Sequence, residues 1–322
     1  MCAQRTASSG RSEASTEASL SDSACISFLN SAQNDDGGWG FHPKSVSRAE
    51  PTCWALLALT GGAASRGRAA RGLDFLTKTQ LADGSWASSP GENVGCWVTS
   101  LGCLVLIRAG AAQDSLRRAL RWIYEDWPRD TAPLRRWLRK LSAARSVSPR
   151  NDFHRGWGWT PGTSSWVEPT SFAVMALSQS PADLQPKGAA RRRRLAEAML
   201  LDRMCPGGGW NCGNPIIYGV PGEPLVFPTV WALLALRARG ERPEIALSLE
   251  WLEKNLKSVC SPASLCLSRL CLEAYGRSCG NAQDRVREFY SANKFLESVP
   301  VAAWACLSAE RLGIPRVTTG RS

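Results

Sequence analysis

Residues 33–59 read QNDDGGWGFHPKSVSRAEPTCWALLAL, and this stretch sets the architecture. A Gly-Trp turn ends at Trp39, and 13 residues later Thr52 opens the frame Thr52, Ala55, Ala58, Leu59. The pair recurs at the same spacing as Trp86/Thr99 and Trp157/Thr170, and at a spacing of 19 as Trp210/Thr229. The frames that follow are Thr99, Gly102, Val105, Leu106, then Thr170, Ala173, Ala176, Leu177, then Thr229, Ala232, Ala235, Leu236. A repeat of this length implies one supersecondary unit used again and again, each unit burying the face of the next.

Two weaker copies keep the small residues and the Leu but lose the Thr: Leu265, Ser268, Cys271, Leu272 and Pro300, Ala303, Cys306, Leu307. The small residues lie along one helical face, where a neighbouring helix can come close. The remaining positions of the strong copies (Trp54, Leu56, Leu57; Phe172, Val174, Met175; Trp231, Leu233, Leu234) are also apolar. A helix apolar all round is buried on every side. Between these six helices lie six amphipathic stretches, over about 20–33, 67–80, 113–145, 187–204, 243–258 and 282–296, with apolar stripes such as Leu73, Phe75, Leu76. The third is overlong and reads as two helices split at Trp127-Pro128. Buried and amphipathic helices alternating six times predict an all-α fold, an (α/α)6 toroid of six inner and six outer helices. A closed ring needs no capping repeats; the alternative is an open solenoid, which does.

Composition agrees with a large core: 44% of the 322 residues are hydrophobic and 21% are charged. Residues 1–19 are rich in Ser, Ala and Thr and read as a disordered lead-in, 20–313 as the toroid and 314–322 as a tail. The opening residues lack the apolar run of a secretory signal, and no stretch is long enough to span a bilayer. Twelve cysteines occur without a CxxC pair, and Cys53, Cys103, Cys266, Cys271 and Cys306 sit inside apolar helix patterns as small hydrophobes. Cys205 and Cys212 make the nearest approach to a metal pair, but the chain has only two histidines, so neither a metal nor any other cofactor is expected. Free thiols and the missing signal point to a cytoplasmic location.

The formal charge of +11 draws on arginines in 117–150 and on Arg191–Arg194. The plain reading is a solvated basic face. The sharper ones are peripheral contact with an anionic membrane and attraction of phosphate-bearing substrates. No nucleic-acid partner is expected, since no known reader's fingerprint is present.

The segments QNDDGGWGF, QLADGSW, RGWGW and PGGGWN, each leading into a T-x-x-small helix, resemble the repeats of the terpenoid cyclase and protein prenyltransferase superfamily, of which squalene–hopene cyclase is the best-known member. The resemblance covers about residues 20–313. It implies an α/α toroid around an apolar cavity and an isoprenoid-type hydrophobic ligand. It also implies that Gln33/Trp39 and Gln80/Trp86 staple an outer helix to the turn that follows. The third and fourth turns keep the Trp and lack the Gln.

In that superfamily the class II cyclases protonate an alkene or epoxide with the central Asp of DxDDT. Aligned on the Thr, this chain reads RAEPT at 48–52 and WVEPT at 166–170, so Glu50 and Glu168 stand at the central acid and Pro51 and Pro169 replace the last Asp. Alkene protonation needs a carboxylic acid held neutral by its surroundings. An acid beside Pro at a helix start is equally explained by the helix dipole. The zinc-binding Asp-x-Cys of the prenyltransferase branch corresponds to Val94-Gly95-Cys96, without the Asp.

Every Gly-Trp turn leads from an outer helix to the start of an inner one, so the turns gather at one mouth of the ring. Asp35, Asp36, His42, Glu50, Glu92, Asp152, His154, Arg155, Glu168, Tyr218 and Glu223 are expected around that mouth. Glu50, Glu168 and Asp36 are the candidate catalytic acids. Trp54, Trp97, Phe172, Trp231 and Trp304 are expected to wall the cavity, where aromatic faces stabilise cations and pack polyenes. His42, His154 and Tyr218 are candidate ligand contacts at the rim. Two functions of different class follow: an acid-initiated cyclase or prenyltransferase-like enzyme, or a non-catalytic toroid that binds a lipid or a protein partner.

Overall fold

Helices of two kinds alternate along the chain in a computed structural model that describes residues 23–128, 151, 153–240 and 242–314. The inner set is α2 (Ala49–Leu59), α4 (Val98–Ala109), α6 (Val167–Gln179), α8 (Val226–Leu236), α10 (Pro262–Ala274) and α12 (Val299–Cys306). The outer set is α1 (residues 23–31), α3 (Arg66–Lys78), α5 (Gln113–Glu125), α7 (Ala189–Asp202), α9 (Pro243–Leu256) and α11 (Ala282–Asn293). Each inner helix packs on the next in chain order, and α12 packs on α2, which closes the ring. The fold is the all-α toroid that the repeat predicts. An open solenoid would leave α2 and α12 apart.

The two sets differ as their sequences dictate. Along α2 every residue except Glu50 is buried, and α8 is buried from Pro228 to Leu236. By contrast α5 buries only Leu116, Ala119, Leu120 and Ile123, one stripe at i, i+3, i+4, i+7. It ends at Glu125, ahead of Trp127-Pro128. The rest of the overlong third stretch, the lead-in 1–19, most of the tail and Asp152 lie outside the described residues.

Small residues in the inner frame have a packing cause. A Cβ added at Gly102 would stand 2.9 Å from the Trp86 ring, so the indole of the same repeat occupies the space a side chain would take. At the far end of the ring, arginines cap helix C-termini: Arg269 donates to the carbonyls of Ala305 (2.9 Å) and Leu307 (3.3 Å), and Arg237 to that of Ala274 (3.2 Å). The cysteines of the apolar frames are buried. Among the described residues no helix is long and apolar enough to cross a membrane, and no group of three or more His, Cys, Asp or Glu is placed to hold a metal.

Candidate active-site mouth

The Trp–Thr spacing is a hydrogen-bond constraint. The backbone N–H of Trp39 donates to Thr52 Oγ1 at 2.9 Å, and the pairs Trp86/Thr99, Trp157/Thr170 and Trp210/Thr229 repeat this at 3.0, 2.9 and 2.8 Å. Each indole N–H then reaches back to a carbonyl of the preceding outer helix: Trp39 to Leu29, Trp86 to Leu76, Trp157 to Ile123 and Trp210 to Leu200. One residue thus ties the turn to the inner helix by its backbone and to the outer helix by its side chain. Gln33 and Gln80 complete the staple. Gln33 donates to the carbonyls of Gly37 (2.8 Å) and Arg68 (2.9 Å), and Gln80 to those of Gly84 (2.8 Å) and Ser115 (2.9 Å). Gly37 sits at φ +89° with its Cα against the Arg71 carbonyl, where a Cβ would come to 2.6 Å, so only glycine fits the bend.

The third turn solves the same problem with a residue the sequence reading passed over. Arg192, on α7, is buried and donates to the carbonyls of Arg155 (2.7 Å), Gly156 (2.7 Å) and Asp126 (3.1 Å). Its guanidinium lies between the Trp157 ring (3.7 Å) and the Trp127 ring (4.3 Å). Burial pushes its pKa down, and the nearby Asp126 carboxylate opposes that. An arginine in a run of four gives no sign in sequence of which one turns inward. In the fourth turn Met204 takes the Gln place, and the Ser248 hydroxyl accepts the Gly209 N–H at 2.9 Å.

These locks set which side of each inner helix meets the ring axis. Trp54, from α2, stacks on Trp231 from α8, the helix opposite it in the ring, with centroids 5.4 Å apart. Phe172 lies 4.8 Å from Trp231 and 5.8 Å from Trp54. All three stand two residues after the frame Thr, and the matching residues are Leu101, Leu267 and Ala302; all six are buried. Trp304 joins them from α12, 5.6 Å from Trp54. One helical turn nearer the mouth, two residues before the frame position, stand Glu50, Trp97, Glu168, Phe227, Ala263 and Ser298, and all six are half-buried. Residues i and i+4 share a helix face, so the half-buried layer lies directly above the buried one. Trp97 links them, 5.1 Å from Phe172 and 5.4 Å from Trp159. The five aromatics of the sequence reading therefore converge, and four of them touch one another across the axis. Phe227 and Trp159 belong to the same cluster; counting two residues back from Thr229 finds the first.

The two glutamates face this floor from helices on either side of α4. Burial raises the Glu168 carboxyl to about 7, and no cation among the described residues offsets it. Burial also raises Glu50, opposed by the indole N–H of Trp54, which faces the carboxylate without reaching hydrogen-bonding geometry. Burial thus shifts both acids toward the neutral form, as it does a carboxyl in a desolvated site.

The other candidates lie outside this constellation. Asp36 is exposed and holds its own turn together, its Oδ1 accepting from the Gly38 N–H (2.9 Å) and the Ser47 hydroxyl (2.8 Å). It also borders a hollow of about 390 Å³ between the first two turns, with Arg48, Phe75 and Glu92. His42 is exposed in the first turn. His154 is half-buried in the third, its Nδ1 4.0 Å from Asp202 Oδ1. Tyr218 is 80% exposed at the tip of a two-residue hairpin turn between Ile216–Ile217 and Val220–Pro221. Exposed apolar side chains gather on these mouth loops: Phe41, Val46, Val94, Phe153, Val220 and Leu296.

The model of the squalene-hopene cyclase C-terminal domain family matches residues 10–96. The chain is 24% identical over 264 residues to drimenyl diphosphate synthase of Streptomyces showdoensis, a match covering 69% of this chain and 48% of that enzyme. It is 40% identical over 65 residues to the enzyme of the same name from Streptantibioticus cattleyicolor, covering 20% of this chain and 12% of that one. The alignments thus span about half the length of the first of these enzymes and about an eighth of the second. A variant of the type II terpene cyclase MstE from Scytonema, in complex with geranylgeranyl dihydroxybenzoate as substrate, superposes with a TM-score of 0.52 at 15% identity, over 90% of this chain and 77% of that one. An inactive variant of an alpha-1,6-mannanase of Salegentibacter superposes with a TM-score of 0.57 at 10% identity, over 90% of this chain and 99% of that one. The ring alone therefore serves more than one chemistry. In its Gly-Trp repeats, in the closed ring that the described residues form and in the family model that fits its first turns, this chain resembles the terpenoid cyclases, squalene–hopene cyclase among them.

Proposed function

We propose that the mouth binds an isoprenoid chain and that Glu168 donates the proton that starts its cyclisation, with Glu50 as a second acid on the other side of Trp97. The observation that carries this reading is the position of a carboxyl raised to about 7 one turn above an aromatic floor. A neutral Glu168 leaves the mouth free of a charge that an apolar chain would have to desolvate. Proton transfer from its carboxyl to an alkene carbon forms a C–H bond and leaves a carbocation beside a carboxylate. In this reading the faces of Trp97, Phe172 and Trp54 stabilise that cation. Loss of a proton from the cyclised skeleton then gives the product, so the reaction is an isomerisation. The drimenyl diphosphate synthases that this chain resembles, and the substrate carried by the MstE variant, make acyclic prenyl diphosphates and prenylated aromatics the compounds to try first.

A carboxyl that ionises near 7 is a weak acid toward an alkene, and Pro169 stands where the superfamily has a flanking Asp. That observation supports the second reading, a toroid that binds the chain without turning it over. Incubation with farnesyl diphosphate in deuterium oxide separates the two. A cyclase gives a cyclic product carrying one solvent deuterium, and Glu168→Gln abolishes it while retaining binding. If turnover survives both Glu168→Gln and Glu50→Gln, the acid assignment is wrong. Binding without product in the wild type leaves the non-catalytic toroid.

A further inference from the structure

We propose that the protein carries a second binding site at the end of the ring opposite the mouth, for a small oxyanion, a carboxylate or a phosphate ester, borne on an apolar body. A hollow of about 410 Å³ opens there between the C-terminal ends of α6 and α8, room enough for a small ligand. Met175, Leu234, Ala235 and Ile314 wall it with apolar surface, Arg193 and Arg237 line it with positive charge, and no Asp or Glu is among its lining residues. The hollow between the first two turns, by contrast, has Asp36 and Glu92 on its wall. From Glu168 to Gln179, on the wall of the far hollow, α6 rises about 16 Å, with Phe172 of the aromatic floor between them. The two arginines are bound differently from their neighbours. Arg269 uses a terminal nitrogen on the carbonyls of Ala305 and Leu307, Arg311 on those of Ala58 and Cys306, and Arg285 uses both on those of Leu256 and Val259. Arg237 instead donates through Nε alone, to the Ala274 carbonyl, with its guanidinium 4.8 Å over the Tyr275 ring. Arg193 likewise approaches Glu197 through Nε alone, at 3.6 Å, and Glu197 is shared with Arg239 at 2.9 Å. Among the described residues, the terminal nitrogens of Arg193 and Arg237 have no hydrogen-bond partner. Carbonyls at this end are already satisfied, that of Leu177 by Gln185 Nε2 (3.1 Å) and that of Leu233 by the Tyr275 hydroxyl (2.7 Å). Guanidinium groups with unused N–H donors, lining an apolar hollow free of acids, suit the bidentate recognition of a carboxylate or phosphate. Gln179 adds to the wall a buried Oε1 without a hydrogen-bond partner, and half a turn of that amide offers its NH2 to the same anion.

Isothermal titration calorimetry with octanoate, octyl phosphate and octanol tests the site on the wild type, Arg193→Gln, Arg237→Gln and Ala238→Trp, with thermal unfolding as the check on folding. Ala238 is exposed and lines the hollow, so an indole there fills it without entering the core. The wild type binds octanoate or octyl phosphate about tenfold or more tighter than octanol, and the tighter of the two anions names the head group. Each arginine variant lowers the affinity for that anion about tenfold, and Ala238→Trp does the same at unchanged unfolding temperature. Excess farnesol leaves the anion's affinity unaltered. Should Arg237→Gln fail to fold for want of the Ala274 contact, Arg193→Gln and Ala238→Trp carry the test. Octanol binding as tightly as the anions, full anion affinity in the arginine variants or in Ala238→Trp, or no binding of either anion overturns the site. Displacement of the anion by farnesol puts it in the mouth and overturns the site as well. The isoprenoid reading rests on other residues, and none of these results except that displacement bears on it.

Discussion

Thr229 Oγ1 accepts the backbone N–H of Trp210 at 2.8 Å across 19 residues, the same bond that Thr52, Thr99 and Thr170 make across 13. The extra chain of the fourth turn, including the hairpin at Ile216–Pro221, is looped out without moving either end. The bond is buried in all four repeats, so losing its acceptor leaves a buried N–H unpaired. Thr229→Val should cost about 1–3 kcal/mol in urea unfolding, and Thr229→Ser most of a kcal/mol less. Equal stability of the valine variant and the wild type would show that the spacing serves something else.

Arg192 is the staple of the third turn, and its role rests on geometry as well as charge. Arg192→Leu leaves three carbonyls without their donor and should destabilise by about 3–5 kcal/mol. Arg192→Lys keeps the charge but not the planar contact with Trp157 and Trp127, and should recover less than half of that loss. Denaturant midpoints for the two variants check both statements.

Glu168 makes stability depend on pH with a definite sign. Its carboxyl ionises near 4.5 when unfolded and at about 7 when folded, so between those values the folded state holds a proton that the unfolded state has lost. Stability from this group therefore falls as pH rises from about 4.5 to about 7 and is level above that. Glu168→Gln should remove the slope and exceed the wild type by about 1–3 kcal/mol at pH 8, a range reduced for the partial exposure of the group. Proton donation should decline as pH rises through about 7, the folded-state value, since only the neutral acid has a proton to give.

Trp304 carries a buried indole N–H without a hydrogen-bond partner. Trp304→Phe removes that unsatisfied donor and keeps an aromatic face toward Trp54 and Phe227. It should therefore cost less than about 1 kcal/mol, against about 3–5 kcal/mol for Trp304→Ala. Calorimetry of the pair distinguishes a packing role from a polar one.

The frame Thr52, Ala55, Ala58, Leu59 was enough to read the alternation of inner and outer helices and to favour a closed ring over an open solenoid, because every copy repeats the same local chemistry; the packing of α12 on α2 shows the closure. It also placed the turns at one mouth and Glu50 and Glu168 beside it. The aromatic floor was legible only as a set of names. Periodicity tells which residues share a face, but how far Trp54 is from Trp231 depends on ring diameter, which emerges from packing all six helices together. The face itself was hidden because α2 and α8 are apolar all round. Arg192 and Ser248 were hidden for another reason: they satisfy carbonyls and N–H groups far away in sequence, which no local pattern records.

The seam between α12 and α2 bears on how the chain is made. Arg311 donates to the carbonyl of Ala58, 253 residues earlier, and the Val299 N–H donates to the Phe41 carbonyl at 2.9 Å. On the ribosome the first inner helix is finished long before the one that covers its open flank exists. During that interval Trp54, Leu56 and their neighbours have no permanent partner on one side. Nascent chains of this protein should thus be chaperone clients until α12 emerges and closes the ring.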